Sequence, residues 1–207
     1  MHAPTIGAGA AVRAACEAGD FDEATVGALR DLGPEILGFL VGTMGGDYDS
    51  ASDAFALFSE KLWHSMPRFE WECSLRAWCY RLARNAAIDV HRGAEGQRKR
   101  NVGLSSAPEV FDMAAQVRTT TMSVLRTANR TALERLRDEL PEEDRVLLVL
   151  RVDRELEWRE VALVLASENG DGIPDEASIK REAARLRKRF QIVVERLRAM
   201  AKERNLL

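Results

Sequence analysis

The chain has 207 residues, 46% hydrophobic and 30% charged, which suits a folded helical protein rather than a disordered one. No apolar run reaches the roughly 18–20 residues of a membrane span, and the start, MHAPTIGAGAAVRAACEAGD, lacks a signal peptide's charged head and apolar centre, so cytoplasmic residence without membrane insertion is expected. The net charge of −3 hides an asymmetry: residues 1–62 carry −7, residues 68–100 carry +4 and residues 180–204 carry +7, so two basic segments offer polyanion contacts.

In chain order, FDEATVGALRDLGPEILGFLVGTM places Val26, Leu29, Leu32, Ile36, Leu37 and Leu40 near helical spacing, with a break expected at Gly33-Pro34. GGDYD reads as a turn. SASDAFALFSEKLWHSM follows as a helix, with Ser50 or Ser52 as its cap and Phe55, Phe58, Leu62 and Trp63 as its apolar face. Pro67 ends it, RFEWEC is a loop, and Ser74 begins the helix SLRAWCYRLARNAAIDVHR. In that helix Leu75, Cys79, Leu82, Ala86 and Val90 form the expected buried stripe, leaving Arg81, Arg84, Asn85 and Arg92 mainly outside it.

From Gly93 to about Thr121 the pattern fades into a glycine-, serine- and proline-containing stretch with a basic cluster, as a linker would. Helical spacing resumes in MSVLRTANRTALERLRDEL. LPEEDRVLLVLRVD opens another helix, with Pro141 near its first position and acids in its first turn. EWREVALVLA is a short amphipathic helix, SENGDGIPDE a turn-rich insert, and ASIKREAARLRKRFQIVVERLRAMAKER one long helix. No strand pattern is present. The fold class is all-α: two small helical domains joined by a flexible linker.

Cys16, Cys73 and Cys79 make neither a disulfide framework nor a CxxC pair, and His2, His64 and His91 add no zinc spacing. No metal and no cofactor are assigned. Two constellations carry chemistry instead. In the first, aromatic residues crowd between Phe55 and Tyr80, and Phe69 and Trp71 fall in a loop beside basic side chains. Aromatic faces stack on unpaired bases, guanidinium groups hold phosphates, and an amide reads a base edge. An ordinary basic helix face beside a small aromatic core explains the same residues. In the second, WREVALVLA, a turn and ASIKREAARLRKRF have the order of a helix-turn-helix. The second helix buries Ile179, Ala183, Leu186 and Phe190 and presents Lys180, Arg181, Arg185, Arg187 and Lys188, a basic face that fits a major groove.

MPRFEWECSLRAWCYRLARNAAIDVHR resembles region 2 of bacterial sigma factors, and LPEEDRVLLVLRVDRELEWREVALVLA with EASIKREAARLRKRF resembles region 4. Two such regions in this order, with a short linker, resemble the extracytoplasmic-function group. The resemblance covers roughly residues 24–92 and 130–200. It implies an N-terminal extension over 1–23, region 2 over 24–92, a linker over 93–128 and region 4 over 129–207.

The function it implies is non-catalytic: binding core RNA polymerase, recognising promoter DNA at the −10 and −35 elements, and starting strand opening. By position, Phe69 and Asn85 match residues around a pocket for a flipped base, and the loop from Glu70 through Trp71 to Ser74 helps line it. Arg76, Arg81, Arg84 and Arg92 would hold the strand backbone. Glu176, Ala177, Ser178, Lys180 and Arg181 match the start of the recognition helix, with Arg185 and Lys188 along the groove wall. Asp53, Ala56, Leu57 and Glu60 fall where the family docks on polymerase. An anti-sigma factor is a further partner that many relatives have.

Three departures stand out. Ala56 and Leu57 replace a usual polar pair, SENGDGIPD lengthens the helix-turn-helix turn, and Glu182 takes a place often held by arginine, where it can accept from cytosine or pair with Arg185. The rival reading is a helix-turn-helix regulator that binds duplex DNA without polymerase; it leaves Phe69, Trp71 and Asn85 unused. A hydrolase built on Glu70 and Glu72 lacks any partnered histidine, phosphate loop or metal set. The acidic first 62 residues beside two basic surfaces also suggest a part in autoinhibition, which deletion of residues 1–20 would test.

Overall fold

The computed structural model describes residues 8–93, 107–127, 131–166 and 174–206, and every regular element among them is helical. Helix α1 (Ala8–Glu17) turns at Gly19, whose φ of 78° suits a residue without a Cβ, into α2 (Phe21–Thr43). Asp20 caps α2 by accepting from the Glu23 amide at 3.0 Å. The break expected at Gly33-Pro34 is absent. Leu29, Leu32, Ile36 and Leu37 are buried on either side of Pro34, and that burial outweighs the one amide hydrogen bond the proline forgoes.

Helix α3 (Tyr48–Ser65) is capped by Asp47, not by Ser50 or Ser52. The Asp47 carboxylate accepts from the amides of Asp49 and Ser50, each at 3.1 Å, and also from the Ser50 hydroxyl. One carboxylate thus satisfies several donors and sits favourably at the positive helix end. A 3-10 turn (Met66–Arg68) containing Pro67 closes the helix. Ser74 then caps α4 (Leu75–His91), accepting from the Ala77 amide at 3.1 Å.

Much of the expected linker is helix instead. α5 (Pro108–Thr127) buries Val110, Ala114, Val117 and Met122 along α2 and α3. Phe111 meets Trp63 edge-on at 6.0 Å, and the Tyr48 hydroxyl donates to the Leu125 carbonyl at 3.1 Å. Gly33 makes this packing close: a Cβ there would lie 2.8 Å from Val117 Cγ1. The threonines and charges around these apolar positions obscure the stripe in the sequence. The remainder of the expected linker, 94–106 with its basic cluster, lies outside the described residues.

The second unit comprises α6 (Ala132–Asp138), α7 (Glu142–Leu148) running into a π turn (Val149–Asp153), α8 (Trp158–Leu165) and α9 (Glu176–Glu203). α8 packs on the first half of α9, while Leu140, Leu148 and Val193 form a small apolar cluster that holds the second half. The two units share one continuous core: α8 lies against α4, and α7 with the π turn lies against α2. Two glycines of α2 face this seam. A Cβ on Gly38 would meet the Arg154 guanidinium at 2.8 Å, and one on Gly42 would touch Val149 at 3.6 Å. No described helix is long and apolar enough to cross a membrane.

Candidate nucleic-acid interface

The loop from Phe69 to Ser74 and the outer face of α4 build one aromatic platform. Phe69 lies flat on Trp78, with ring centroids 4.1 Å apart and 9° between planes, and Trp71 leans on Phe69 at 4.7 Å. Trp71 has φ 59°, a left-handed conformation unusual for an aromatic residue, and the Arg13 guanidinium of α1 covers its ring at 5.5 Å. Beside this stack a groove of about 160 Å³ is lined by Ser65, Arg68, Trp78, Arg81, Leu82 and Asn85. The groove therefore offers an aromatic wall, an amide and guanidinium groups, the side-chain types that hold an unstacked base and its phosphates.

Among the residues expected here, Phe69, Trp71 and Asn85 are partly exposed at the platform, and Glu70 and Arg92 are exposed. Arg81 and Arg84 are not. They are 3% and 9% exposed, because α4 is enclosed by α2, α3 and α8 and buries far more than one stripe. Leu82 and Val90, expected in the stripe, are only partly buried. Arg84 contributes to holding the Glu143 carboxyl of α7 below its ordinary value, after the larger effect of the Arg189 guanidinium that hydrogen-bonds it. Ser65, Arg68 and Leu82 were missed by sequence reasoning. Ser65 and Arg68 bracket the Met66-Pro67 turn immediately before Phe69, so the end of α3 folding back beside α4 is the signal that places them.

Two further expected residues are engaged by the second unit. The Ser74 hydroxyl donates to Glu160 Oε1 of α8 at 2.7 Å. Arg76 pairs with Glu35 and donates to the Arg154 carbonyl at 2.7 Å. Burial disfavours the charged form of Glu35, yet hydrogen bonds from Arg76 and Tyr80 outweigh it and hold the carboxyl below its ordinary value. Cys73, between these contacts, has its thiol pushed up to about 11 by burial, so it is no activated nucleophile.

On α3, Asp53 and Ala56 are exposed and Leu57 and Glu60 partly so, on the side opposite the buried Phe55, Phe58 and Leu62. On α9, Asp175 caps the first turn by accepting from the Ser178 amide at 2.9 Å, and Ile179, Ala183 and Leu186 are buried under α8. Glu176, Ala177, Lys180, Arg181, Arg185 and Lys188 are exposed, and Ser178 partly so. Glu176 pairs with Arg159 of α8 at 2.7 Å, tying the two helices together. Glu182 pairs with Arg185 at 2.6 Å. Most of the lengthened turn, 167–173, lies outside the described residues. Among the described residues no group of three or more His, Cys, Asp or Glu side chains is placed to hold a metal.

Residues 29–96, which span α2 to α4 and the aromatic platform, match the family model described as Sigma-70 region 2. The likeness covers that segment, about a third of the chain. No curated protein and no solved structure matches the chain.

Proposed function

We propose that this protein is a sigma factor of the extracytoplasmic-function group, in which residues 24–92 act as region 2 and residues 129–207 as region 4. The observation that carries the reading is the groove beside the Phe69–Trp78 stack, which lies within the segment similar to Sigma-70 region 2. A base leaving the −10 duplex loses stacking worth a few kcal/mol, and a groove already walled by Trp78 and edged by Asn85 offsets that loss. Arg68, which lines it, and Arg92, exposed at the end of α4, supply phosphate contacts. The first turns of α9, from Glu176 to Arg181, read base edges of the −35 element, while Arg185 and Lys188 run along its phosphates.

The exposed α3 face with Asp53, Ala56, Leu57 and Glu60 docks on core polymerase. Its apolar replacements, Ala56 and Leu57, make that contact less polar than the family's usual one. The chain needs no catalytic group or cofactor for these roles, and it works in the cytoplasm. An anti-sigma factor is a further partner on this reading.

The test is run-off transcription with core RNA polymerase on a library of promoter fragments, comparing wild type with Asn85→Ala. Specific transcripts that weaken at the opening step in the variant support the reading. Specific duplex binding without any engagement of core turns it into a polymerase-independent regulator.

A further inference from the structure

Helix α1 lies outside the segment that matches the family model, yet it is tied to the aromatic platform. Its Val12 is 2% exposed and packs on α2, where a Cβ on Gly27 would lie 3.3 Å from Val12 Cγ2. The next residue, Arg13, reaches the loop. Its guanidinium stands 5.5 Å from the Trp71 ring centroid, and its Nε donates to Glu17 Oε1, one turn later, at 3.1 Å. From there the contacts run in series: Trp71 leans on Phe69 at 4.7 Å, Phe69 stacks on Trp78 at 4.1 Å, and Trp78 lines the groove. Trp71 holds its place at a backbone cost. A φ of 59° is disfavoured for a bulky side chain, so the conformation persists only where surrounding contacts hold it.

We propose that Arg13 is a positioning residue for promoter reading: from α1 it holds Trp71, and through Phe69 it steadies the Trp78 wall that receives the unstacked base. This role rests on the proposed function and extends that same site into residues 1–23. A guanidinium over the face of Trp71 is attracted by the negative π-cloud of the ring. Stacking carries the restraint onward, because a shift of Trp71 frees Phe69, and a freed Phe69 leaves the Trp78 face on which it lies. A base that meets a loosened wall regains less of the stacking it lost in the duplex. A loosened wall also repacks around the wrong base, so selectivity falls. Arg13 itself needs no contact with DNA.

The test uses the full chain with core polymerase on a promoter recovered from the fragment library, carrying each of the four bases in turn at its most selective −10 position. Opening rates are measured over a salt series for wild type, Arg13→Ala, Arg13→Lys, Trp71→Leu and the Arg13→Ala, Trp71→Leu double variant. Arg13 is largely exposed, so its loss leaves the fold intact. Arg13→Ala should narrow the ratio of rates between best and worst base by roughly twofold to fivefold, the worth of an exposed cation–ring contact. Arg13→Lys, which keeps a cation for the ring, should restore much of that ratio, and Arg13→Ala should add nothing in the Trp71→Leu background. An unchanged ratio in Arg13→Ala overturns the positioning role and leaves the function standing. A drop shared equally by all four bases, with a shallower salt slope, also overturns it, because that marks Arg13 as a phosphate contact. Failure of the wild type to open any promoter with core overturns the function, and the positioning role with it.

Discussion

Phe69 rests face to face on Trp78, 4.1 Å between ring centroids, and so a loop residue is fixed against the helix that forms the groove wall. The two rings do different work. Trp78 is 8% exposed and belongs to the core, whereas Phe69 is partly exposed at the loop.

Trp78→Ala should therefore cost about 3–5 kcal/mol, as large core truncations do. Phe69→Ala should cost less than that but more than the roughly 0.5–1.5 kcal/mol of the aromatic pair alone, because the partly buried ring also loses its apolar contacts. Urea unfolding followed by circular dichroism measures both. Phe69→Ala should nonetheless impair strand opening, since it removes the loop's anchor beside the groove.

Glu35 and Arg76 make the second testable pair. A third of the Arg76 side chain is exposed, so Glu35→Gln should cost about 1–3 kcal/mol, less than breaking a fully buried pair. The sign with pH follows from the lowered carboxyl. The pair's stabilisation is present above the ordinary glutamate value of about 4.3 and is lost as pH falls through the lower folded value. The gap in unfolding midpoint between wild type and Glu35→Gln should narrow on acidification below that value.

Gly33→Ala tests how α5 is held. Alanine gains helix propensity over glycine of about 1 kcal/mol, but its Cβ would crowd Val117 at 2.8 Å. Overpacking of this kind costs about 1–3 kcal/mol, so net destabilisation is expected. Hydrogen exchange should accelerate across residues 108–127 while α4 stays protected.

On α9, Glu182→Ala frees Arg185 from its 2.6 Å ion pair. Duplex binding should tighten for all sequences, and the slope of log affinity against log salt should steepen by about 1. Lys188→Ala should do the reverse. Fluorescence anisotropy over a salt series distinguishes them.

The all-α class, the Ser74 cap, the helix end at Pro67 and the burial of Ile179, Ala183 and Leu186 on α9, though not of the partly exposed Phe190, were legible because each follows from local spacing or a single punctuating residue. Pro34 misleads because helix propensity cannot register how much apolar surface closes around it. The burial of Arg81 and Arg84 is equally invisible: a stripe rule assumes one covered face, and α4 is covered by three helices. In α5, Val110, Ala114 and Val117 keep helical spacing, but threonines and charges dilute it. The seam between the units runs over Gly38 and Gly42, which in sequence only weaken a helix. Their meaning appears when Arg154 and Val149 arrive from more than a hundred residues away.

Permanganate footprinting of promoter DNA tests the central claim most directly. With core polymerase and this protein together, thymines in the −10 element should become reactive, and Asn85→Ala should diminish that reactivity. Reactivity that is absent with both components present, or identical with core alone, would contradict the assignment of this chain as the subunit that opens the promoter.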